Sequence, residues 1–487
     1  MSARLFFLYS KLQEISLFHV LLIILSVNYL TFFPDGNEET YFQLAKQWVT
    51  PSWIPNAFSV TEPPGARLLY QYIVGFSLKY LSFEWMVFIG RSIIILWYSF
   101  TLSKIFLKLV WSPIQLVILF QGIIYFFPSF FGGESIFIGF EAKHIAYGFC
   151  FMAIHSLLIE KYTTTIVYLL LGAWFHILVG GWLLAVVLIY LFLFTDQKRI
   201  IVIGYTFLFV VGLSPLIYYL LPNLLATDSN TISADYIYTY IRNPHHTALF
   251  KDLSYFLKTH ALGVLLSLSV TIVLIIIIPT LNNYRKKLAQ LCLIIGLMGM
   301  LFVCVAYFDK EGHILKFYPF RLQGVFTFLT AILLIELLLN KTSYFILFIL
   351  ILPLPFFIGA KNLYKQYQYC YSKSNAFYQM SYFIKDHTNK NTVVYYPTID
   401  DNYTLQFTRI SERDRFFVHK LVPGGGDKIY AWYERYQISD EVEKDIASIT
   451  KLKTFGVQYY VSTKAIIDSH LELTYQNSDF WVYKINY

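Results

Sequence analysis

Apolar residues fill long runs over most of the first 360 positions, and polar residues are confined to the gaps between them. The runs centre on 16–33, 85–103, 113–131, 143–160, 164–179, 181–195, 200–221, 259–280, 288–307, 319–339 and 343–359. A hydrocarbon core roughly 30 Å thick takes about 20 helical residues, so the pattern predicts about eleven membrane helices. One further segment, "GARLLYQYIVGFSLKYLS" (65–82), reads either as a short span or as a helix lying at the interface. Beyond residue 360 the period changes. "NTVVYYPTID", "GVQYYVSTK" and "DFWVYKIN" cluster β-formers and read as strands, with helical candidates "DKIYAWYERYQ" and "DEVEKDIASITKLKTFG" between them. The expected architecture is a polytopic α-helical membrane domain over 1–360, with a first outer loop at 34–84, and a small α/β domain over 361–487.

Composition agrees. Hydrophobic residues make up 57% of the 487 positions and charged residues 14%, against roughly 25% charged in soluble proteins. The many Tyr and Phe suit membrane interfaces. The net charge of +8 says less than where the basic residues sit. If 65–82 does not cross, one side receives Arg4 and Lys11, Lys104 and Lys108, Lys161, Lys198 and Arg199, "NNYRKK" (282–287) and Lys341. Short basic loops belong in the cytoplasm. The N-terminus is then cytoplasmic, 65–82 lies on the outer face, and the C-terminal domain is extracytoplasmic. The N-terminal segment lacks a small-residue cleavage site and is expected to be a retained first helix. Cys150, Cys292 and Cys304 lie inside apolar runs, and with Cys370 they suggest neither a disulfide nor a zinc site.

On this topology four polar clusters share the outer face. "PDGNEETYFQLAKQW" (34–48) carries Asp35, Glu38 and Glu39 just after the first apolar run. Acids there either start a helix at the favourable end of its dipole or do chemistry at membrane depth, where ionisable groups are costly. "FEAKHIAY" (140–147) carries Glu141, Lys143 and His144, and the i,i+3 spacing lets Glu141 and His144 share a helix face. "AWFHILVGGW" (173–182) places His176 in an apolar run, as a packing residue or, at a helix break, as a cavity-lining one. "KFYPFRLQG" (316–324) sets Lys316 and Arg321 at the mouth of a long apolar helix, as interfacial anchors or as an anion site. Acids that could accept a proton from a hydroxyl, together with cations that could hold a leaving phosphate, match transfer from a lipid-linked phosphosugar.

The order "NEETYFQLAKQW", then "TEPPGARLLYQYIVGFSLKYL", then "FEWMVFIGRSIIILW" with Arg91 resembles the GT-C glycosyltransferases. This is the membrane superfamily that uses polyprenyl-phosphate sugars and includes the protein O-mannosyltransferase and aminoarabinose-transferase branches. The likeness covers mainly residues 16–100. Where the family pattern has Asp, this chain has Asn37 followed by Glu38. The chain also resembles a group of uncharacterised bacterial membrane proteins with "NE…Y", "FEAKH-AY" and "FH" segments. The resemblance implies a bacterial plasma-membrane enzyme that moves a sugar from a polyprenyl-phosphate donor to an envelope glycan, lipid or protein. Glu38, or failing that Asp35, is then the general base, with Glu39 beside them. Arg321, Lys143, Lys316 and Arg91 face the lipid phosphate, and His144 and His176 line the substrate. Glu141 and Glu38 are the candidate ligands if a divalent cation such as Mg or Mn is used. A nucleic-acid partner is not expected. Two other readings stay open: a transporter or flippase for a lipid-linked glycan, and a catalytically silent scaffold of polysaccharide assembly, to which Asn37 lends weight.

Overall fold

A computed structural model describes the chain apart from residues 1–2, 64, 126–128, 138, 225–231, 282, 339–356, 358, 362, 365–374, 398–401 and 424–426. Its residues group into two compact units. The first comprises Met1–Thr31, Phe88–Tyr219 and Thr239–Asn362; the second comprises Phe32–Val87, Leu220–Tyr238 and Leu363–Tyr487. The first outer loop therefore belongs with the C-terminal residues, whereas the division drawn from hydropathy grouped it with 1–360. Hydropathy follows environment along the chain and is blind to which polar segments pack together.

The apolar runs form α1 (Ala3–Tyr29), α4 (Phe83–Lys108), α5 (Pro113–Tyr125), α6 (Ala142–Leu158), α7 (Tyr162–Phe175), α8 (Ile177–Phe194), α9 (Arg199–Leu224), α12 (Ala261–Ile277), α13 (Asn283–Phe308) and α14 (Gln323–Leu338). Between them lie α2 (Gly36–Val49), α3 (Leu68–Ser77), the short α10 (Ala234–Tyr236), which continues as a π-turn to Arg242, and α11 (Leu253–Thr259). Among the described residues five helices are long and apolar enough to cross a membrane: Phe83–Lys108, Ile177–Phe194, Arg199–Pro222, Ala261–Thr280 and Asn283–Phe308. Ser16–Tyr29, Tyr162–Phe175 and Gln323–Leu337 are shorter apolar helices. Most of the expected run 343–359 lies outside the described residues. In the first unit α6 packs on α7, α7 on α8, and α13 on α8, α12 and α14. The segment 65–82 forms a ten-residue helix, α3. At 1.5 Å per residue it spans about 15 Å, half of a hydrocarbon core.

In the second unit α2 and α3 pack closely because Gly75 has no side chain. A Cβ there would lie 2.4 Å from the Ala45 carbonyl oxygen. The C-terminal residues add α15 (Ala376–His387), α16 (Asn402–Ser411) and α17 (Asp427–Lys444). They surround a five-stranded sheet of order β2-β1-β3-β5-β4, made of β1 (Val393–Tyr395), β2 (Asp414–Arg415), β3 (Val457–Ser462), β4 (Leu471–Gln476) and β5 (Trp481–Ile485). β1 pairs in parallel with β2 and β3, while β5 runs antiparallel to β3 and β4. The core joins Phe377, Met380 and Ile384 of α15 and Phe407 and Ile410 of α16 to Val394, Val461 and Val482 of the sheet. The three expected strands are β1, β3 and β5. The two-residue β2 and the exposed β4 lack the apolar runs that mark a strand in sequence.

Candidate functional site

The acids of the first outer loop are built into the start of α2. Asp35 is its N-cap: one carboxylate oxygen accepts the backbone N–H of Asn37 at 3.2 Å and of Glu38 at 3.3 Å. Glu38 reaches back and accepts the Asp35 N–H at 3.0 Å, completing a capping box. Glu39 is 1% exposed. It accepts Arg409 Nε at 2.8 and 3.1 Å and Gln43 Nε2 at 2.8 Å. Arg409, from α16, also donates to Glu84 at 3.0 Å and to Gln406 at 3.2 Å. Burial raises the Glu39 carboxyl above its ordinary range, and Arg409 opposes that rise with its charge and hydrogen bond. Nearby, Asp414 accepts Phe58 N–H at 2.8 Å, Ser59 N–H at 3.2 Å and the Ser59 hydroxyl at 2.6 Å. In this unit the acids thus cap helices and hold the outer loop to the C-terminal helices.

The first unit holds a second constellation, centred on a residue the sequence reading passed over. In "FFGGESIF", Gly132 and Gly133 adopt φ of 75° and 62°, a left-handed backbone that favours glycine. The turn presents Glu134, which is 2% exposed. Its carboxylate bonds the Arg321 guanidinium and lies 3.9 Å from Lys143 Nζ. One Glu134 oxygen accepts no hydrogen bond among the described residues. Lys143 stands 3.6 Å from Glu141, and His144 Nδ1 stands 3.8 Å from the same carboxylate. Arg321 lies over the Tyr318 ring at 4.4 Å, and Tyr147 donates to the Arg321 carbonyl at 2.9 Å. His246, from "RNPHHT", completes the group. Its Nδ1–H donates to Gly132 O at 2.8 Å, and it lies 4.0 Å from Glu134. Burial, with the charges of Arg321, Lys143 and Arg242, pushes the His246 pKa down to about 3, against the pull of the Gly132 hydrogen bond. The imidazole is therefore neutral at physiological pH. Three cations, Arg321, Lys143 and Arg242, gather here against two carboxylates, Glu134 and Glu141, and that surplus suits an anion.

The residues expected to act divide accordingly. Arg321, Lys143, Glu141 and His144 come together. Arg91, 5% exposed, donates to the Tyr29 carbonyl at 2.7 Å. Lys316 lies half-buried over the Phe317 ring at 5.5 Å. His176 sits at a helix break, since α7 ends at Phe175 and α8 begins at Ile177. Among the described residues no three His, Cys, Asp or Glu side chains group as a metal site. Glu141 lies beside Lys143 and His144, and Glu38 closes the cap of α2. Glu134, His246, Arg409 and Asp414 were missed. An acid after two glycines was the available signal for Glu134; no local signal marks the other three.

These features define a multi-pass helical membrane protein with a small α/β sheet and a buried cation–carboxylate cluster. No protein-family model matches the chain, and no curated protein matches it in sequence. Among solved structures it is similar to ArnT from Cupriavidus metallidurans, crystallised with bound undecaprenyl phosphate. The identity is 13%, the TM-score 0.35, and the match covers 99% of this chain and 98% of that one.

Proposed function

We propose that the protein is a GT-C-like glycosyltransferase of a bacterial plasma membrane, with the N-terminus cytoplasmic and the C-terminal domain extracytoplasmic. It moves a sugar from a polyprenyl-phosphate donor to an envelope glycan, lipid or protein. The observation that carries this reading is the cluster of Arg321, Lys143 and Glu134, with surplus positive charge, in a chain whose described residues include five helices long and apolar enough to cross a membrane. Arg321 is the first phosphate ligand, because a planar fork matches phosphate oxygens. Lys143 is the second, as a point charge. Lys316 stands behind them, and Arg91, bonded to Tyr29, is a packing residue.

Asp35 and Glu38 both spend carboxylate oxygens on backbone N–H groups, so Glu134 suits the proton acceptor better. In that scheme an acceptor hydroxyl gives its proton to the open Glu134 oxygen. The hydroxyl oxygen then bonds to the anomeric carbon, and the bond from that carbon to the phosphate oxygen breaks. The electron pair leaves with the phosphate, toward Arg321 and Lys143. The occupied first-loop acids also favour one other reading, the catalytically silent scaffold.

The test uses full-length protein in lipid nanodiscs. Undecaprenyl phosphate should bind saturably, and Arg321→Lys, which keeps a cation beside Glu134 but loses the planar fork, should weaken binding while insertion and protein level hold. Turnover on a panel of polyprenyl-phosphate sugars separates enzyme from scaffold. Glu134→Gln should cut it about 10²–10⁴-fold, the usual cost of a lost general base. Full loss in Glu38→Gln with Glu134→Gln unaffected would return the base to the first loop. Equal binding by wild type and Arg321→Lys would remove Arg321 as the first phosphate ligand.

A further inference from the structure

A cavity of about 320 Å³ lies at the N-terminal ends of β1 and β3, beside the C-terminus of α15. Its frame is made of satisfied groups. Arg413 donates to the Lys385 carbonyl at 2.6 Å and to Thr388 Oγ1 at 2.9 Å, tying down the end of α15. The Tyr487 hydroxyl donates to Val457 O at 2.7 Å. His387 donates from Nδ1 to Phe383 O at 3.0 Å. Its ring stacks on Phe383 at 4.3 Å, and Phe383 stacks on Tyr475 at 4.4 Å.

The groups that face the space are not satisfied in this way. Asn389, Thr392, Gln458 and Lys484 line the cavity, and among the described residues none of their side chains makes a hydrogen bond or ion pair with the protein. None of the described residues that line it is Asp or Glu. Polar heads left open in a concavity held rigid by its neighbours are the usual make-up of a small-ligand site, whose volume runs from about 300 to 1,000 Å³. Two planar amides and a hydroxyl suit vicinal hydroxyls, which both donate and accept. Tyr459 and Tyr487 offer ring faces for the C–H face of a sugar. Lys484, whose cross-strand neighbour Glu472 accepts a hydrogen bond from Asn486 at 3.3 Å, turns its ammonium to a negative charge.

We propose that this cavity binds one pyranose unit carrying a single negative charge, either a uronate or a sugar phosphate. The site lies wholly within residues 387–487, and its existence does not depend on the glycosyltransferase reading.

The test is isothermal calorimetry on the full chain in detergent micelles, with glucuronate, glucose 1-phosphate, glucose and inorganic phosphate as probes. At least one acidic sugar should bind saturably and about tenfold or more tighter than glucose, the factor one charge-assisted hydrogen bond supplies. Which acidic sugar binds identifies the anion read. Lys484→Ala should erase the advantage over glucose, and Gln458→Ala should weaken every sugar. Both side chains are exposed, so both variants should melt as the wild type does. Absence of saturable binding by either acidic sugar overturns the proposal, as does binding unchanged in both variants. Inorganic phosphate binding as tightly as glucose 1-phosphate, with glucuronate inert, also overturns it, because the ring is then not recognised.

Discussion

Removing Arg409 should cost the second unit more than removing any exposed charge. Arg409 bonds both oxygens of Glu39 and also reaches Glu84. In Arg409→Ala the Glu39 carboxylate, 1% exposed, keeps Gln43 and loses its only cation among the described residues. Breaking a buried pair from one side costs about 3–5 kcal/mol, because a charge is left unpaired out of water. For a domain of 150–250 residues each kcal/mol moves Tm by about 2–4 °C, so a fall of roughly 10 °C is expected. Replacing both partners by apolar residues of similar size, Arg409→Met with Glu39→Leu, should recover most of it, since the fully buried carboxylate is gone and Glu84, which also loses Arg409, is partly exposed. The pH dependence carries a second signature. The folded-state pKa of Glu39 is raised, so between the unfolded value near 4.5 and the folded value the folded protein holds more protons than the unfolded chain. Stability contributed by this group therefore falls as pH rises through that window, and Glu39→Gln should remove that slope. The assay is thermal unfolding followed by tryptophan fluorescence in detergent, from pH 4 to 8. A shift under about 2 °C for Arg409→Ala, or a double variant no better than the single one, would refute the argument.

Other outcomes follow from the same geometry. Asp35→Ala should lower stability by about 1 kcal/mol through loss of the N-cap, whereas Glu38→Gln, which keeps an acceptor at the third helical position, should melt within a few tenths of that; equal melting of wild type and Asp35→Ala would show the cap to be idle. Gly133→Ala should cost about 1–2 kcal/mol, because a side chain is placed at φ 62°, and should weaken undecaprenyl phosphate binding by displacing Glu134; unchanged binding and melting would refute the role of the turn. His246 is held neutral with a pKa of about 3. The unfolded chain therefore binds the extra proton between about pH 3 and 6.5, and stability falls as pH drops through that window. His246→Asn should flatten this acid limb in the same melting assay, and a limb unchanged in the variant would remove His246 as its source.

The chain determines by itself whatever depends on local pattern. Apolar runs of span length specify the membrane helices, because no other element satisfies its own backbone in hydrocarbon. β-branched and aromatic clusters mark β1, β3 and β5, and an acid three residues before another starts α2. The sequence also brought forward Arg321, Lys143, Glu141 and His144, cations and acids at the mouths of apolar helices. Tertiary structure decided the assignments that rest on partners distant in sequence. Glu39 is buried in an ion pair because Arg409, 370 positions away, meets it in the second unit. Asp414 holds the loop at Phe58 and Ser59 across some 355 positions. Glu134 acquires its setting only when Arg321 and His246 fold against the turn of Gly132 and Gly133. Whether a carboxylate is a base, a cap or half of a salt bridge depends on which donors reach it and how much water is left around it, and burial by distant segments fixes both.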